Sequence, residues 1–282
     1  MTLYLIGLGL GDEKDISICG LEAVQKCQYV YLEKYTSKLG VSHEKLEELY
    51  GQKIILADRA LVEKEAEKTI LHQALSHDVA VLVIGDPMSA TTHTDIVMRA
   101  HEMGIQTKII HNASIMTAVG VTGLQLYKFG KTASIAYPRE GFSPTSHYDI
   151  LKMNKANNLH TLLLLDIDED HKPPRYMTVN DGIKNLLRIE EIKNKGEDEE
   201  RNKEVFNKET FCVGCARIGR ENQIIISGTA KQLLNKNFGG PLHCLIVPAT
   251  LHFAEEDMLK IWNNKEAHAH QKPALTNNHE SE

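Results

Sequence analysis

Val81-Leu82-Val83-Ile84-Gly85-Asp86-Pro87-Met88-Ser89-Ala90-Thr91-Thr92-His93 decides the fold. The stretch starts as an unbroken β-branched and aliphatic run, the pattern of a strand covered on both faces. Gly85 lets the chain turn without a Cβ penalty. Asp86 sets a carboxylate at the carboxyl end of that strand, and Pro87 stiffens the turn. Thr91 or Thr92 is placed to cap a following helix, with Asp95 in its first turn. Open α/β sheets bind small ligands off the carboxyl ends of their strands. Asp86 is therefore either a ligand contact or the maker of an Asx-turn.

Outward from this stretch, strands and helices alternate. Leu3–Gly11 reads as a buried strand entering a glycine-rich turn, and Asp15 or Ser17 opens a helix to about Cys27. Tyr29–Glu33 and Lys53–Ala57 read as strands, with an amphipathic piece from His43 to Leu49 between them. Ala66, Ile70, Leu71, Ala74 and Leu75 fall at helical spacing and predict one helix over Glu63–Leu75. After Val81 come a helix over Thr91–Met103, stopped by Gly104, and a strand at Thr107–Ile110. Such alternation predicts a doubly wound, mainly parallel sheet with right-handed crossovers.

A domain boundary is expected at His111–Met116, dividing the chain into an N-terminal α/β domain over 1–112 and a C-terminal α/β domain over 113–253. Strands are expected at Thr132–Tyr137, Thr161–Asp166, Phe211–Arg217, Gln223–Ser227 and Leu242–Val247. The last three follow one another closely, as antiparallel neighbours do, so this sheet should be mixed. Val179–Ile192 reads as a helix and Gly196–Glu209 as an exposed, charged loop. Residues 254–282 should supply a terminal helix and then, from His268, a disordered tail.

Composition narrows the function. The chain has 282 residues, 42% apolar and 25% charged, with a net charge of −6. That balance offers no general case for nucleic-acid binding. No apolar run approaches the roughly 20 residues of a membrane span. The opening MTLYLIGLGLGDEKD lacks a basic lead and turns acidic at once, unlike a signal peptide. The five cysteines are scattered and odd in number, as expected for reduced thiols in the cytoplasm. Cys212 and Cys215 form a C-x-x-C with no second pair, and within a strand they face opposite ways, so no metal site is expected.

Gly7, Gly9 and Gly11 have G-x-G-x-G spacing, which is not the dinucleotide fingerprint. Asp12, Glu13 and Asp15 follow where a pyrophosphate would sit, and three carboxylates there repel that anion. Glu33 stands where a ribose-binding acid would be, which keeps a nicotinamide enzyme as a third reading. A cofactor without phosphates suits the stretch better. S-adenosylmethionine fits chemically, its groups met by glycine-turn backbone, by Ser89 and Ser114 hydroxyls and by the Asp86 carboxylate.

LYLIGLGLGDEKDI, GDPMSATTHTD and HNASIM resemble the diphthine synthases, in the tetrapyrrole-methylase-like class of S-adenosylmethionine-dependent methyltransferases. GLQLYKFGKTASI, LHTLLLLDI, PPRYMTVN, CVGCARIG and GGPLHCLIV extend the likeness from about Leu3 to Phe253, closest to the eukaryotic branch. The resemblance implies two α/β domains with the cofactor in the cleft between them, and a cytoplasmic homodimer. It implies methylation of a modified histidine on translation elongation factor 2, on the way to diphthamide. Eukaryotic members place three methyls on the amine and one on the carboxylate, giving diphthine methyl ester; archaeal members stop at the trimethylated amine.

Carried over by position, the cofactor contacts are Leu10, Asp86, Ser89, Ser114, Ile115, Leu165, Ile218 and His243. On chemistry alone, Leu10, Ile115, Leu165 and Ile218 read as core, and His243 as a satisfied core histidine. His93 and His111 are expected behind the contacts. No acid or base is assigned. Lys128, Lys131, Arg139, Lys152, Lys155 and Arg175 form an expected basic rim for the protein substrate. The chain departs from the family at Met88-Ser89, where Phe-Gly is usual, at Cys215, at Tyr137-Pro138-Arg139, and in its short Asp166–Pro173 connection. Two alternatives stay open: a methyltransferase acting on a tetrapyrrole, and a non-catalytic scaffold of the same fold.

Overall fold

Val79–Val83, the strand expected from Val81, is buried along its whole length, and its side chains alternate between two cores. Val79, Val81 and Val83 enter one apolar cluster, while Ala80 and Leu82 enter another on the opposite face. A strand sheathed on both sides must read as a continuous apolar run, because neither face meets water. The computed structural model describes residues 1–35, 37–139, 141, 143–169, 171–194 and 204–263.

The first half runs β1 (Thr2–Gly7), α1 (Ile18–Lys26), β2 (Tyr29–Glu33), α2 (His43–Tyr50), β3 (Ile54–Ala57), α3 (Arg59–Glu63), α4 (Ile70–Ala74), β4 (Val79–Val83), α5 (Thr94–Glu102) and β5 (Gln106–Ile110). Its sheet has the order β3-β2-β4-β1-β5, and every pairing is parallel. Ala23 and Val24 of α1 and Leu46 and Tyr50 of α2 cover one face. Val62, Ile70 and Leu71 with Ile96 and Ala100 cover the other. This is the doubly wound arrangement expected from the alternation of elements.

Helix starts follow local chemistry. Ser17 caps α1, its hydroxyl accepting from the Gly20 N–H. Asp58 caps α3 by accepting from the Leu61 N–H at 2.9 Å. The single helix expected over Glu63–Leu75 is instead broken. α3 begins earlier and ends at Glu63, a 3₁₀ turn spans Ala66–Lys68, and α4 restarts at Ile70. At the second break the Thr69 hydroxyl donates back to the Glu65 carbonyl at 2.8 Å, a side-chain bond that competes with the helical ladder. Val62, Ala66, Ile70 and Ala74 are all buried, so the periodic face survives although the helix does not. α5 also starts later than expected, at Thr94 with His93 in the cap position. Neither Thr91 nor Thr92 caps it with a side chain; the Thr91 hydroxyl accepts from the His93 N–H instead.

The second half runs α6 (Ile115–Ala118), β6 (Ala133–Ile135), α7 (Ser146–Ala156), β7 (Thr161–Leu165), β8 (Ile167–Asp168), β9 (Arg175–Tyr176), α8 (Val179–Asn194), β10 (Phe211–Ala216), β11 (Ile224–Thr229), α9 (Ala230–Leu233), β12 (His243–Val247) and α10 (Phe253–Trp262). Its main sheet has the order β11-β10-β12-β7-β6. β11, β10, β12 and β7 pair antiparallel in turn, and β6 joins β7 in parallel. The mixed sheet agrees with the expectation. Cys212 and Cys215 of β10 enter different apolar clusters, as residues three apart on a strand should.

Two departures occur here. α7, α9 and the β8–β9 hairpin carry no sequence signal strong enough to place them. The loop expected over Gly196–Glu209 lies outside the described residues up to position 203. Beyond that, Val205 and Phe206 are buried, not exposed. Their N–H groups donate to the Glu190 carboxylate of α8 at 3.3 and 2.9 Å. The tail expected from His268 lies outside the described residues. α10 is docked by Glu255, fully buried, which accepts from the Gln125 N–H and from His160 Nε2, each at 2.9 Å.

Candidate functional site

The carboxyl ends of the parallel strands face the second sheet across a cleft of about 290 Å³, near the low end for small-ligand sites. Leu10 follows β1. Asp86 and Ser89 follow β4, and Ser114 and Ile115 follow β5. Leu165 ends β7, Ile218 follows β10 and His243 begins β12. All eight line this one cleft, although they span the chain from position 10 to 243.

Asp86 makes the turn after β4. Its Oδ1 accepts from the Met88 N–H at 2.9 Å and from the Ser89 hydroxyl at 3.2 Å. Its Oδ2 accepts from the Asn112 N–H at 3.1 Å and from His111 Nδ1 at 2.8 Å. The Asx-turn is thus real, and the same carboxylate ties the exit of β4 to the exit of β5. Burial pushes its pKa up, but the Met88 N–H, His111 and the Asn112 N–H outweigh this and hold it below the usual range. The Ser89 side chain turns toward Asp86. A Cβ at Gly85 would meet nothing nearer than Ala113 O at 3.8 Å, so the turn leaves room for close approach to its main chain.

The glycine turn after β1 serves packing. A Cβ on Gly7 would lie 2.6 Å from the Gly85 carbonyl. Gly9 and Gly85 exchange main-chain hydrogen bonds at 3.2 and 2.8 Å. The Leu10 and Gly11 N–H groups point at the Asp15 carboxylate, 3.2 and 2.7 Å away. The chain's own acid therefore occupies the place where a phosphate would bind in a dinucleotide turn. Glu33 is likewise committed: it is fully buried and accepts from the Tyr35 N–H at 2.7 Å. The nicotinamide reading falls with these two acids.

His243 is spoken for on both ring nitrogens. The Val179 N–H donates to Nδ1 at 3.3 Å, so Nε2 carries the proton and donates to the Gly240 carbonyl at 2.9 Å. Burial lowers its pKa, against the opposing pull of the Gly240 carbonyl. The ring is a satisfied neutral histidine in the cleft wall. Ser114 caps α6 and accepts from the Met116 N–H at 3.2 Å. Cys215 and Cys244 lie opposite each other on β10 and β12 and both reach the cleft. The Cys244 thiol, together with burial, pushes the Cys215 thiol well above its usual value. His93 is buried behind Thr91, and desolvation takes its pKa to about 4.

The basic residues that line the cleft are other than the six expected at its rim. Lys128 is held by the Thr250 carbonyl and Glu255, and Lys155 by the Val205 carbonyl. Arg175 pairs with Asp168 at 2.9 Å, and Arg139 lies 4.0 Å from it. None of the six expected rim residues lines the cleft. Lys38, Arg59, Arg217 and Arg220 do. Arg217 has left-handed backbone, φ +53°, and its guanidinium donates to the Asn222, Phe238 and Gly240 carbonyls. Arg220 crosses between the halves to the Leu10 and Lys38 carbonyls. The CARIGR stretch offered a faint signal, since an arginine beside Ile218 flanks a residue already expected at the site. Nothing in the sequence pointed to Lys38 or Arg59.

Two α/β halves with a partly apolar cleft off the strand ends, lined by four basic and two acidic side chains, define a class of small-ligand enzyme. Residues 2–234 match the tetrapyrrole (corrin/porphyrin) methylases. The chain is 48% identical to the diphthine methyl ester synthase of Homo sapiens over 276 residues, 93% of this chain and 95% of that one. It is 47% identical to the Dictyostelium discoideum diphthine methyl ester synthase, over 94% of this chain and 99% of that one. Among solved structures, a putative diphthine synthase from Entamoeba histolytica superimposes with a TM-score of 0.84 at 45% identity, covering 94% of this chain and 99% of that chain. The chain belongs to the tetrapyrrole methylase family, a family of methyltransferases, and within it to the diphthine synthases.

Proposed function

We propose that this methyltransferase uses S-adenosylmethionine to methylate the modified histidine of translation elongation factor 2, trimethylating the amine and then methylating the carboxylate to give diphthine methyl ester. The observation that carries the reading is the convergence of Leu10, Asp86, Ser89, Ser114, Ile115, Leu165, Ile218 and His243 on one cleft. The cleft fits the cofactor chemically. The Asp15 carboxylate fills the turn that a phosphate would need, which suits a ligand without phosphates. Leu10, Ile115, Leu165 and Ile218 provide apolar walls for a purine, and the turn at Gly85 is open to close approach.

When bound, S-adenosylmethionine supplies an electrophilic methyl on a sulfonium. The protein's part is alignment and exclusion of water, effects worth roughly 7–11 kcal/mol of barrier in well-oriented reactions. Asp86 holds the β4 and β5 loops in register for that alignment. The acceptor amine must lose a proton before it attacks. His243 is no base for it, because both its ring nitrogens are engaged. The carboxylate step needs no base.

Buried, unpaired thiols support a reducing, cytoplasmic setting. The edge strand β3, with Ile55 and Leu56 partly exposed, supports a homodimer. The change of sheet between β5 and β6 supports domains divided at 112/113.

The test uses elongation factor 2 stalled at the unmethylated intermediate, incubated with the protein and S-adenosylmethionine and read by mass spectrometry of the modified peptide. Four added methyls are expected. Three would reassign the reaction to the trimethylated amine. None, beside a working control enzyme, would overturn the reading.

A further inference from the structure

The second sheet turns one of its two faces to the cleft. Cys215, Ile218 and Cys244 belong to the apolar cluster on that face, and all three line the cleft. On β7, Leu163 and Leu165 enter the cluster on the opposite face, whereas Leu162 and Leu164 pack into the cleft-side one. Side chains alternate along a strand, so Asp166 follows Leu162 and Leu164 onto the cleft side. The extended backbone holds that far. The Asp166 N–H donates to the Ile135 carbonyl at 3.1 Å, continuing the β6–β7 pairing, and its carbonyl accepts from the Met177 N–H at 2.9 Å. Asp166 is half-buried and lines the cleft with Leu164 and Ser134, which are register partners on β7 and β6.

Two acids line the cleft, Asp86 and Asp166, and they differ in what they can still accept. Asp86 takes four hydrogen bonds from its own chain. Asp166 takes one, from the Tyr137 N–H to Oδ2 at 2.7 Å. Its Oδ1 has no protein donor among the described residues, and unlike the sealed Tyr35 hydroxyl it is open to solvent. No ion pair forms on Asp166 among the described residues either. Arg175, which lies over the Tyr137 ring at 4.2 Å, is instead held through two nitrogens by Asp168, at 3.0 and 2.9 Å. The Asp166 carboxylate is thus oriented by one bond and open to a donor from the cleft. A group already held in place loses little freedom when a ligand binds it.

We propose that Asp166 receives the amine of the acceptor, its open oxygen taking an N–H of that amine at the wall next to Leu165, itself assigned above to the cofactor. The proposal rests on the functional reading above, in which an amine is methylated and then a carboxylate. Charge decides the fit. In each amine transfer the nitrogen bonds to the methyl as the bond from sulfur breaks, so positive charge passes from sulfur to nitrogen. A carboxylate fixed beside the nitrogen favours that passage, and away from bulk water its effect is larger than in solution. The N–H bond serves the first two transfers, and in the third the charge acts alone. The ester step differs, because a carboxylate oxygen takes the methyl and ends neutral, with no charge gained by nitrogen. Asp166 therefore speeds and selects the amine transfers.

The experiment compares the wild-type chain with Asp166→Asn and Asp166→Glu on two acceptors. One is elongation factor 2 stalled before methylation, and the other is the same protein carried to the trimethylated amine. Asparagine keeps an oxygen for the Tyr137 N–H and removes the charge; glutamate keeps the charge. Peptide mass spectrometry follows each added methyl with time. Amine transfer by Asp166→Asn should slow about tenfold, the worth of a hydrogen bond to a charged group. Asp166→Glu should slow it less. Ester transfer to the trimethylated acceptor and cofactor affinity by calorimetry should match the wild type in both variants. An unchanged amine rate in Asp166→Asn would overturn the proposal. Equal slowing of amine and ester transfer would overturn it too, as the mark of a merely structural role. A loss of cofactor affinity would also overturn it, by moving Asp166 to the cofactor. No transfer by the wild-type chain, with cofactor bound, would overturn the functional reading and the proposal together.

Discussion

Two loops at the carboxyl end of the same sheet treat their buried polar groups in opposite ways. After β4, both oxygens of Asp86 are saturated by Met88, Ser89, His111 and Asn112. After β2, the Tyr35 hydroxyl is buried with no partner among the described residues. The first loop is a closed network, whose task is to hold its own shape and that of its neighbour. The second leaves one buried hydroxyl out of any network, in a wall packed by apolar neighbours. Physical chemistry separates the two roles: breaking a satisfied buried network costs stability, whereas removing an unsatisfied group costs none.

The comparison can be broken at several points. Asp86→Ala should have the largest effect, about 4 kcal/mol of stability, because it removes a buried carboxylate that accepts four hydrogen bonds at once. Cofactor affinity should fall with it; urea unfolding and calorimetry together check this, and full affinity in a destabilised variant would remove Asp86 from the cofactor's support. Gly7→Ala comes next, at about 3 kcal/mol for forcing a Cβ into a packed backbone. The atom would sit 2.6 Å from the Gly85 carbonyl and push apart the two turns that frame the cleft. A wild-type melting temperature would show that the turns can spread.

The acid side of the stability profile sharpens the comparison further. His93 has a folded pKa of about 4, below the usual 6.5 or so of an unfolded histidine. Between those values the unfolded chain binds the extra proton, so stability falls as pH drops through this window and is fully present above it. From pH 7 to pH 5 this one group should contribute a loss of about 2 kcal/mol. A His93→Gln variant should flatten the profile by that amount in urea titrations at the two pH values, and an unchanged slope would mean the ring is not desolvated. The smallest effect belongs to Tyr35→Phe, which should alter stability by less than about 1 kcal/mol in either direction, since no protein bond is lost. A large destabilisation there would mean that the hydroxyl does have a partner, and would erase the contrast between the two loops.

Much of this was legible from residues alone. β4 was visible because neither face of a buried strand can carry polar groups, and α1 because Ser17 caps it locally. Asp15 was rightly read as hostile to a phosphate, though its bonding to Leu10 and Gly11 needed the fold to appear. The broken helix between Arg59 and Ala74 shows where periodicity misleads. The buried face at 62, 66, 70 and 74 persists because packing demands it, while the backbone beneath it does not stay helical. The basic residues show a second limit. A lysine's neighbours cannot be read from its place in the chain, and Lys128 and Lys155 turned out to cap carbonyls distant in sequence.

Local rules were enough for the alternation of strands and helices, the Ser17 cap of α1, the two-faced β10 and the family likeness, because each depends on residues a few positions apart. Strand order, and therefore which loops meet, belonged to the tertiary structure. Arg220 reaches Leu10 across 210 positions, and Tyr35 and Arg59 become neighbours only because β2 and β3 lie side by side. Contacts of that range form only when the whole core is buried, and no spacing along the chain encodes them.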